Sequence, residues 1–184
     1  MSKTEGTTGP APAREAPLER LRTFGDPTLK QATHPVTVFD ARLEKLAQLM
    51  LGVMDREEGV GLAAPQIGVV SRVMVWRHPE SDMERHVFVN PRIVESSETS
   101  CTAEEGCLSV PGGTMEVTRA EEVLVEAQDL KGELFQIRFA GLLARIMQHE
   151  IDHLDGRLIL DRTSPEERRR VLKELRERTL AAGT

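Results

Sequence analysis

Tyrosine is absent from this chain of 184 residues, and one Trp and five Phe are its only large aromatics. So few rings cannot tile a stacking platform for single-stranded nucleic acid, and the core must rest on Leu, Val, Ile and Met. Positive charge is also short. Lys and Arg number 24 against 30 Asp and Glu, a net charge of −6, which lacks the electrostatic footprint of a DNA binder. No run approaches the ~20 consecutive apolar residues that would span a bilayer. Cysteine is reduced to Cys101 and Cys107, too few for a disulfide framework. Those two leave three uses open: inert core thiols, one short-loop disulfide, or a single working thiolate.

What is present suits one soluble domain, with 39% hydrophobic and 29% charged residues. Residues 1–17 are rich in Gly, Pro, Thr and Ala, carry no hydrophobic period and no apolar secretory core, and are expected to form a disordered tail. From there the chain reads as a single catalytic domain, 18–184. Leu43, Leu46, Ala47, Met50, Leu51 and Met54 recur at helical spacing behind Asp40, a suitable N-cap. The run EGVGLAAPQIGV (58–69) then stops the helix with small residues that let backbone approach something closely.

Short β-rich runs follow at 72–76, 86–90, 115–118, 122–128 and 133–139, with a hairpin turn at 129–132 between the last two. No helix separates them, so they are expected to pair antiparallel. Gly141–Leu154 predicts a second helix closed by Gly156. A third starts at Ser164, with Pro165 in its first turn and Glu167 completing a capping box. Val171, Leu172, Leu175 and Thr179 form its apolar face. The fold class predicted is α+β, with antiparallel strands packed around a central helix and flanked by N-terminal and C-terminal helices.

The chemistry concentrates in His149-Glu150-Ile151-Asp152-His153. Histidines at i and i+4 leave one helix face together and can share a metal ion, while Glu150 beside them can take a proton from an attacking water. A catalytic site of this type needs three protein ligands and an open position. No histidine follows His153. A downstream carboxylate (Glu166, Glu167, Glu174 or Glu177) would lie on a charged, solvated helix. Upstream, Cys107 sits between Gly106 and Leu108 at the edge of a strand-like run, and a thiolate with two imidazoles suits Zn²⁺, Fe²⁺, Co²⁺ or Ni²⁺. Cys101 lies in a Ser/Thr/Glu-rich stretch read as a loop, with no role. Leu142 and Ile146 precede His149 by seven and three residues and share its face. They are expected to serve both the core and an apolar slot, with Val60 opposite.

Three segments in order, GVGLAAPQIG (59–68), EGCLSVPG (105–112) and QHEIDHLDG (148–156), resemble peptide deformylase. FGDPTLK (24–30) and Val89-Asn90-Pro91 extend the likeness from about Leu18 to the end of the third helix. The resemblance implies removal of the formyl group from N-formyl-methionyl nascent polypeptides. It implies Cys107, His149 and His153 as metal ligands and Glu150 as general acid and base. Gln66 and the backbone N–H of Leu108 would serve as oxyanion donors. Val60, Gly61 and Gly106 would pair with the substrate backbone, and Glu105 with Arg119 would form a structural ion pair. It implies one divalent ion, Fe²⁺ in the cell, with Zn²⁺, Ni²⁺ or Co²⁺ as substitutes.

One departure is Gly112-Gly113-Thr114, where many bacterial members carry a larger basic residue; it bears on rim contacts to downstream substrate residues. The competing reading is a zincin-type metallopeptidase, which would need a ligand after His153 and a longer cleft. A thiolate beside redox-sensitive iron belongs in a reducing cytoplasm. Neither DNA nor a membrane is expected as a partner. The segment 157–178 carries eight basic and five acidic residues, including Arg168-Arg169-Arg170. A transient ribosome contact through it is the sharper reading, and a solvated helix face the plainer one.

Overall fold

The side chain of Asp40 accepts hydrogen bonds from the backbone N–H groups of Arg42 and Leu43, at 2.9 and 3.3 Å, and so starts helix α1 (Ala41–Arg56) where the sequence places it. This computed structural model describes residues 20–81 and 84–182, without the side chains of Thr179 and Ala182. The expected 1–17 tail and the place of Thr179 on the third helix lie outside that description. Leu43, Ala47, Met50, Val53 and Met54 form the buried stripe of α1.

The glycine-rich run after α1 is more ordered than its composition suggests. It holds a three-residue strand, β1 (Gly61–Ala63), and a 3-10 turn over Ala64–Ile67 that ends at Gly68 in the left-handed region. All three residues of β1 are buried, so no alternation of polar and apolar side chains marks it.

Strands β2 (Val73–Arg77), β3 (Arg85–Ser96), β6 (Glu122–Gln128) and β7 (Leu134–Ala140) complete an antiparallel sheet in the order β1-β2-β3-β6-β7. β3 runs well past the expected 86–90. Asn90 takes a positive φ, Pro91 follows, and the pairing register with β6 shifts between Val89 and Arg92 before the strand resumes. A break in the apolar pattern here is a bulge, not an end. The hairpin at 129–132 forms as expected, with Gly132 N–H donating to the Asp129 carbonyl.

A second, two-stranded sheet pairs β4 (Ser100–Cys107) with β5 (Val110–Ala120). β4 was not anticipated, because SCTAEEGC has almost no apolar side chain to alternate. Cys101 therefore lies on an exposed strand rather than in a loop. Six positions along one extended strand is about 20 Å. Cys101 and Cys107 cannot be bridged, since a disulfide needs Cα atoms within about 7 Å.

Helix α2 (Gly141–Leu154) packs on one face of the large sheet and α1 on the other. The strands show why. Met74 and Trp76 of β2 point into the core under α2, while Val73 and Val75 point into the core under α1, the two-residue period of a strand buried on both sides. Helix α3 (Pro165–Ala182) closes a third core with Val110, Met115 and Val117 of β5, through Val171. Ser164 caps α3 by accepting from the N–H of Glu167 at 3.2 Å, but the Glu167 carboxylate faces Arg170 instead of closing the expected box. The architecture is the α+β arrangement expected, with α2 central.

Replacing Asp40 by Ala is expected to lower unfolding stability by about 0.5–2 kcal/mol, the usual worth of an N-cap. Urea denaturation followed by far-UV circular dichroism measures it, and an unchanged midpoint would deny the cap that role.

Candidate metal centre and cleft

Alternation along β4 turns Glu105 and Cys107 inward and Glu104 and Gly106 outward. The helical period of α2 brings His149 and His153 to one side. Cys107 Sγ lies 3.3 Å from His153 Nε2, and the ligand atoms of Cys107, His149 and His153 all fall within 4.8 Å of one another. A tetrahedral ion with bonds of about 2.0–2.3 Å keeps its ligand atoms roughly 3.3–3.8 Å apart. The cluster fits such an ion with little movement. It is the one group of three metal-ligating side chains found among the described residues. The carboxylates after His153 contribute nothing to it, which removes the reading that required a downstream ligand.

A buried arginine braces the cluster. Arg119, on β5, forks onto Glu105 through Nε and Nη2 at 2.9 and 3.0 Å, and donates through Nη1 to Asp152 on α2. Glu105 also faces His149 Nδ1 at 3.0 Å and accepts from Arg145 Nη1 at 2.7 Å. Burial would push the Glu105 carboxyl up, but its bonds with His149 and Arg119 outweigh this and hold it at about 2. With Nδ1 of His149 committed to Glu105, the other ring nitrogen is free for a metal, the usual second-shell arrangement for a ligating histidine.

Glu150 stands apart from this network. It is buried, and its Oε2 has no hydrogen-bond partner. Burial, with a smaller push from the Glu105 charge, raises its carboxyl to about 7 against the pull of His149. A carboxyl poised near neutrality, with one oxygen uncommitted, can both take and return a proton. Its room comes from Gly61. A Cβ there would sit 2.4 Å from Glu150 Oε1 and 2.8 Å from Cδ. The close approach expected of the glycine-rich run is thus an approach to Glu150.

These groups line a cleft of 740 Å³. Val60, Gly61, Gln66, Glu105, Gly106, Cys107, Leu108, Leu142, Ile146, His149 and Glu150 all face it, whereas His153 and Arg119 lie behind the wall. Gln66 is buried and held at both ends of its amide. Its Oε1 accepts from the Ala63 N–H at 2.8 Å, and its Nε2 donates to Ser109 Oγ at 3.2 Å, leaving a second N–H. Ile146 belongs to the core as well as the cleft, as expected. Leu142 does not: it is 59% exposed, one turn further from the centre of α2, and only borders the cleft.

Three residues went unread in the sequence. Ser109 fixes Gln66, Asp152 ties α2 to Arg119 and Arg162, and Arg145 joins Glu105 to the carbonyls of Val117 and Cys101. Asp152 carried the one available signal, an acid on the buried side of a helix between two candidate ligands.

A cysteine and two histidines around an ion-sized gap, with a buried carboxyl beside them at the floor of a cleft, define a metal-dependent hydrolase. The polypeptide deformylase family model matches residues 18–169. A peptide deformylase of Thermotoga petrophila is 42% identical over 158 residues, 86% of this chain and 94% of that one. A peptide deformylase of Heliobacterium modesticaldum is 48% identical over 147 residues, 78% of this chain and 95% of that one. The crystal structure of a peptide deformylase from Legionella pneumophila superposes with a TM-score of 0.84 at 41% identity, covering 89% of this chain and 96% of that one. The chain belongs to the polypeptide deformylase family and is an enzyme of the hydrolase class.

Gly61→Ala is expected to displace the Glu150 carboxylate and cut turnover at least tenfold while leaving bound metal unchanged. Activity measured beside elemental analysis of the same sample checks it, and full activity would show that Glu150 tolerates the shift.

Proposed function

We propose that Cys107, His149 and His153 hold one divalent ion and that Glu150 moves the proton in the reaction of this family. That reaction removes the N-formyl group from the N-terminal formyl-methionine of newly made proteins and releases formate. The observation that carries the residue assignment is the buried Glu150 carboxyl, its Oε2 without a hydrogen-bond partner, lining the cleft beside the three-ligand cluster. When bound, the ion supplies Lewis acidity, activating water and polarising the formyl oxygen.

The protein's own groups do the rest. Glu150 accepts a proton at its carboxylate from the attacking water and delivers it to the departing amine. The free N–H of Gln66 and the backbone N–H of Leu108 donate to the oxygen that gains negative charge, where one lost donor typically costs about 10²–10³ in rate. Val60, Gly61 and Gly106 offer backbone to the substrate chain. Ile146, with Val60 and the exposed Leu142, lines an apolar slot for the methionine side chain. Glu105 and Arg119 hold Cys107 and His149 in register.

A thiolate with two imidazoles accepts Fe²⁺, Zn²⁺, Ni²⁺ or Co²⁺, and Fe²⁺ is the ion proposed for the cell. That choice and a reduced Cys107 suit a cytoplasmic enzyme. No described helix is long and apolar enough to cross a membrane. The catalytic domain is taken to begin at residue 18. For the proposed transient ribosome contact, Arg168 and Arg169 of α3 offer charge, although each already pairs, with Asp161 at 3.6 Å and Glu166 at 3.0 Å.

Purified without oxygen, the protein is expected to release formate from a formyl-Met peptide. Glu150→Gln should keep the metal and lose most turnover, whereas Cys107→Ala should lose the metal. No formate with metal verified as bound would end the deformylase reading, and an active Glu150→Gln would end the proton-transfer assignment alone. Charge reversal at Arg168 and Arg169 should weaken co-sedimentation with ribosomes; unchanged co-sedimentation would remove the contact.

A further inference from the structure

The ladder between β4 and β5 has a gap beside the metal cluster. Cys107 pairs with Val110 and Gly106 with Thr114, so Pro111, Gly112 and Gly113 are looped out of register. All three, with Thr114, line the cleft, yet none belongs to the metal cluster. A three-residue excursion containing two glycines has little reason of its own to keep one shape.

Helix α3 supplies that shape. Arg178 Nη1 donates to the Pro111 carbonyl at 2.9 Å, and Arg170 Nη2 donates to the Thr114 carbonyl at 3.0 Å. The two bonds bracket the excursion. Arg170 is itself held by Glu167 on one side and Glu174 on the other, at 2.8 and 2.9 Å, so its guanidinium cannot wander. Between the two arginines, Val171 packs on Gly113. A Cβ on Gly113 would meet Val171 Cγ1 at 2.9 Å, and one on Gly112 would overlap the Arg178 guanidinium. Gly112 also has a φ of +70°. Gly113 has no room for a side chain because α3 lies against it, and Gly112 is required by its left-handed backbone.

We propose that Arg170 and Arg178 are positioning residues: α3 clasps the Pro111–Thr114 excursion and thereby sets the wall that substrate residues beyond the formyl-methionine meet. The inference rests on the deformylase reading of the cleft. The formyl group must reach the metal cluster, so the rest of the peptide leaves past the lining residues that donate nothing to the ion. A dipeptide ends before that wall and a longer peptide runs along it. Pro111, Gly112, Gly113 and Thr114 carry no long side chain, so this chain fixes the wall through its backbone from behind.

The test uses the whole metal-loaded enzyme, with Arg178→Ala and Arg170→Ala as separate variants. Each is assayed on formyl-Met-Ala and on a formylated tetrapeptide of the same first two residues. Both arginines are exposed, and substitutions at such sites generally leave folding intact. Each variant is expected to raise KM for the tetrapeptide about threefold to tenfold, the span of one lost hydrogen bond, with kcat unchanged. Neither constant should move more than about twofold for the dipeptide. Arg178→Lys, which keeps a donor for the Pro111 carbonyl, should recover part of the tetrapeptide KM. Equal effects on both substrates, or none on either, would overturn the proposal. Loss of dipeptide activity from the unaltered enzyme would instead overturn the deformylase reading.

Discussion

One buried guanidinium holds the metal cluster to the rest of the protein. Arg119 is the point where β4, β5 and α2 meet, because its fork takes Glu105 and its remaining nitrogen takes Asp152. All three residues are buried. Ion pairs so far from water cost several kcal/mol to desolvate, and they persist only when every partner is satisfied. Here each one is. Glu105 has Arg119, Arg145 and His149, and Asp152 has Arg119 and Arg162. What this network contributes is register. It sets Cys107, two residues beyond Glu105, against His149 and His153 on a different element, and a metal centre tolerates errors of only a few tenths of an ångström.

The same device governs the acid beside it. Glu150 is left out of the network, and its burial raises its carboxyl while neighbouring Glu105 is driven down by its paired partners. Two carboxylates on adjoining elements thus diverge because one is fully paired and the other is not. The glycine-rich strand β1 completes the separation by letting Glu150 lie flat against backbone where any other residue would intrude.

Much of the site was legible in advance. The spacing of His149, Glu150 and His153 announces one helix face, and the capping and periodic signals of α1 and α2 are local, so both helices stand where the pattern puts them. Strand β4 was not legible, since its stability comes from pairing with β5 and from buried charges rather than from an apolar face. Cys101 reads as a loop residue for the same reason. Helical spacing puts Leu142 on the buried face, because it identifies a face but not how far the neighbouring sheet extends over it. Ser109 and Arg145 gave no signal, because their roles exist only relative to Gln66 and Glu105, far away in the chain.

The sequence by itself determined the residue types the chemistry needs. It supplied a thiol within a glycine-bearing motif, two imidazoles at helical spacing with two acids, Glu150 and Asp152, between them, and three short motifs in family order. It did so because ligand chemistry and helical geometry are properties of neighbouring residues. Only the tertiary structure decided which charges are paired, which carboxyl stays free, and that the last helix reaches back to grip the out-of-register start of β5 beside Cys107. Those outcomes depend on burial and on contacts between distant segments, and neither exists until the chain has folded.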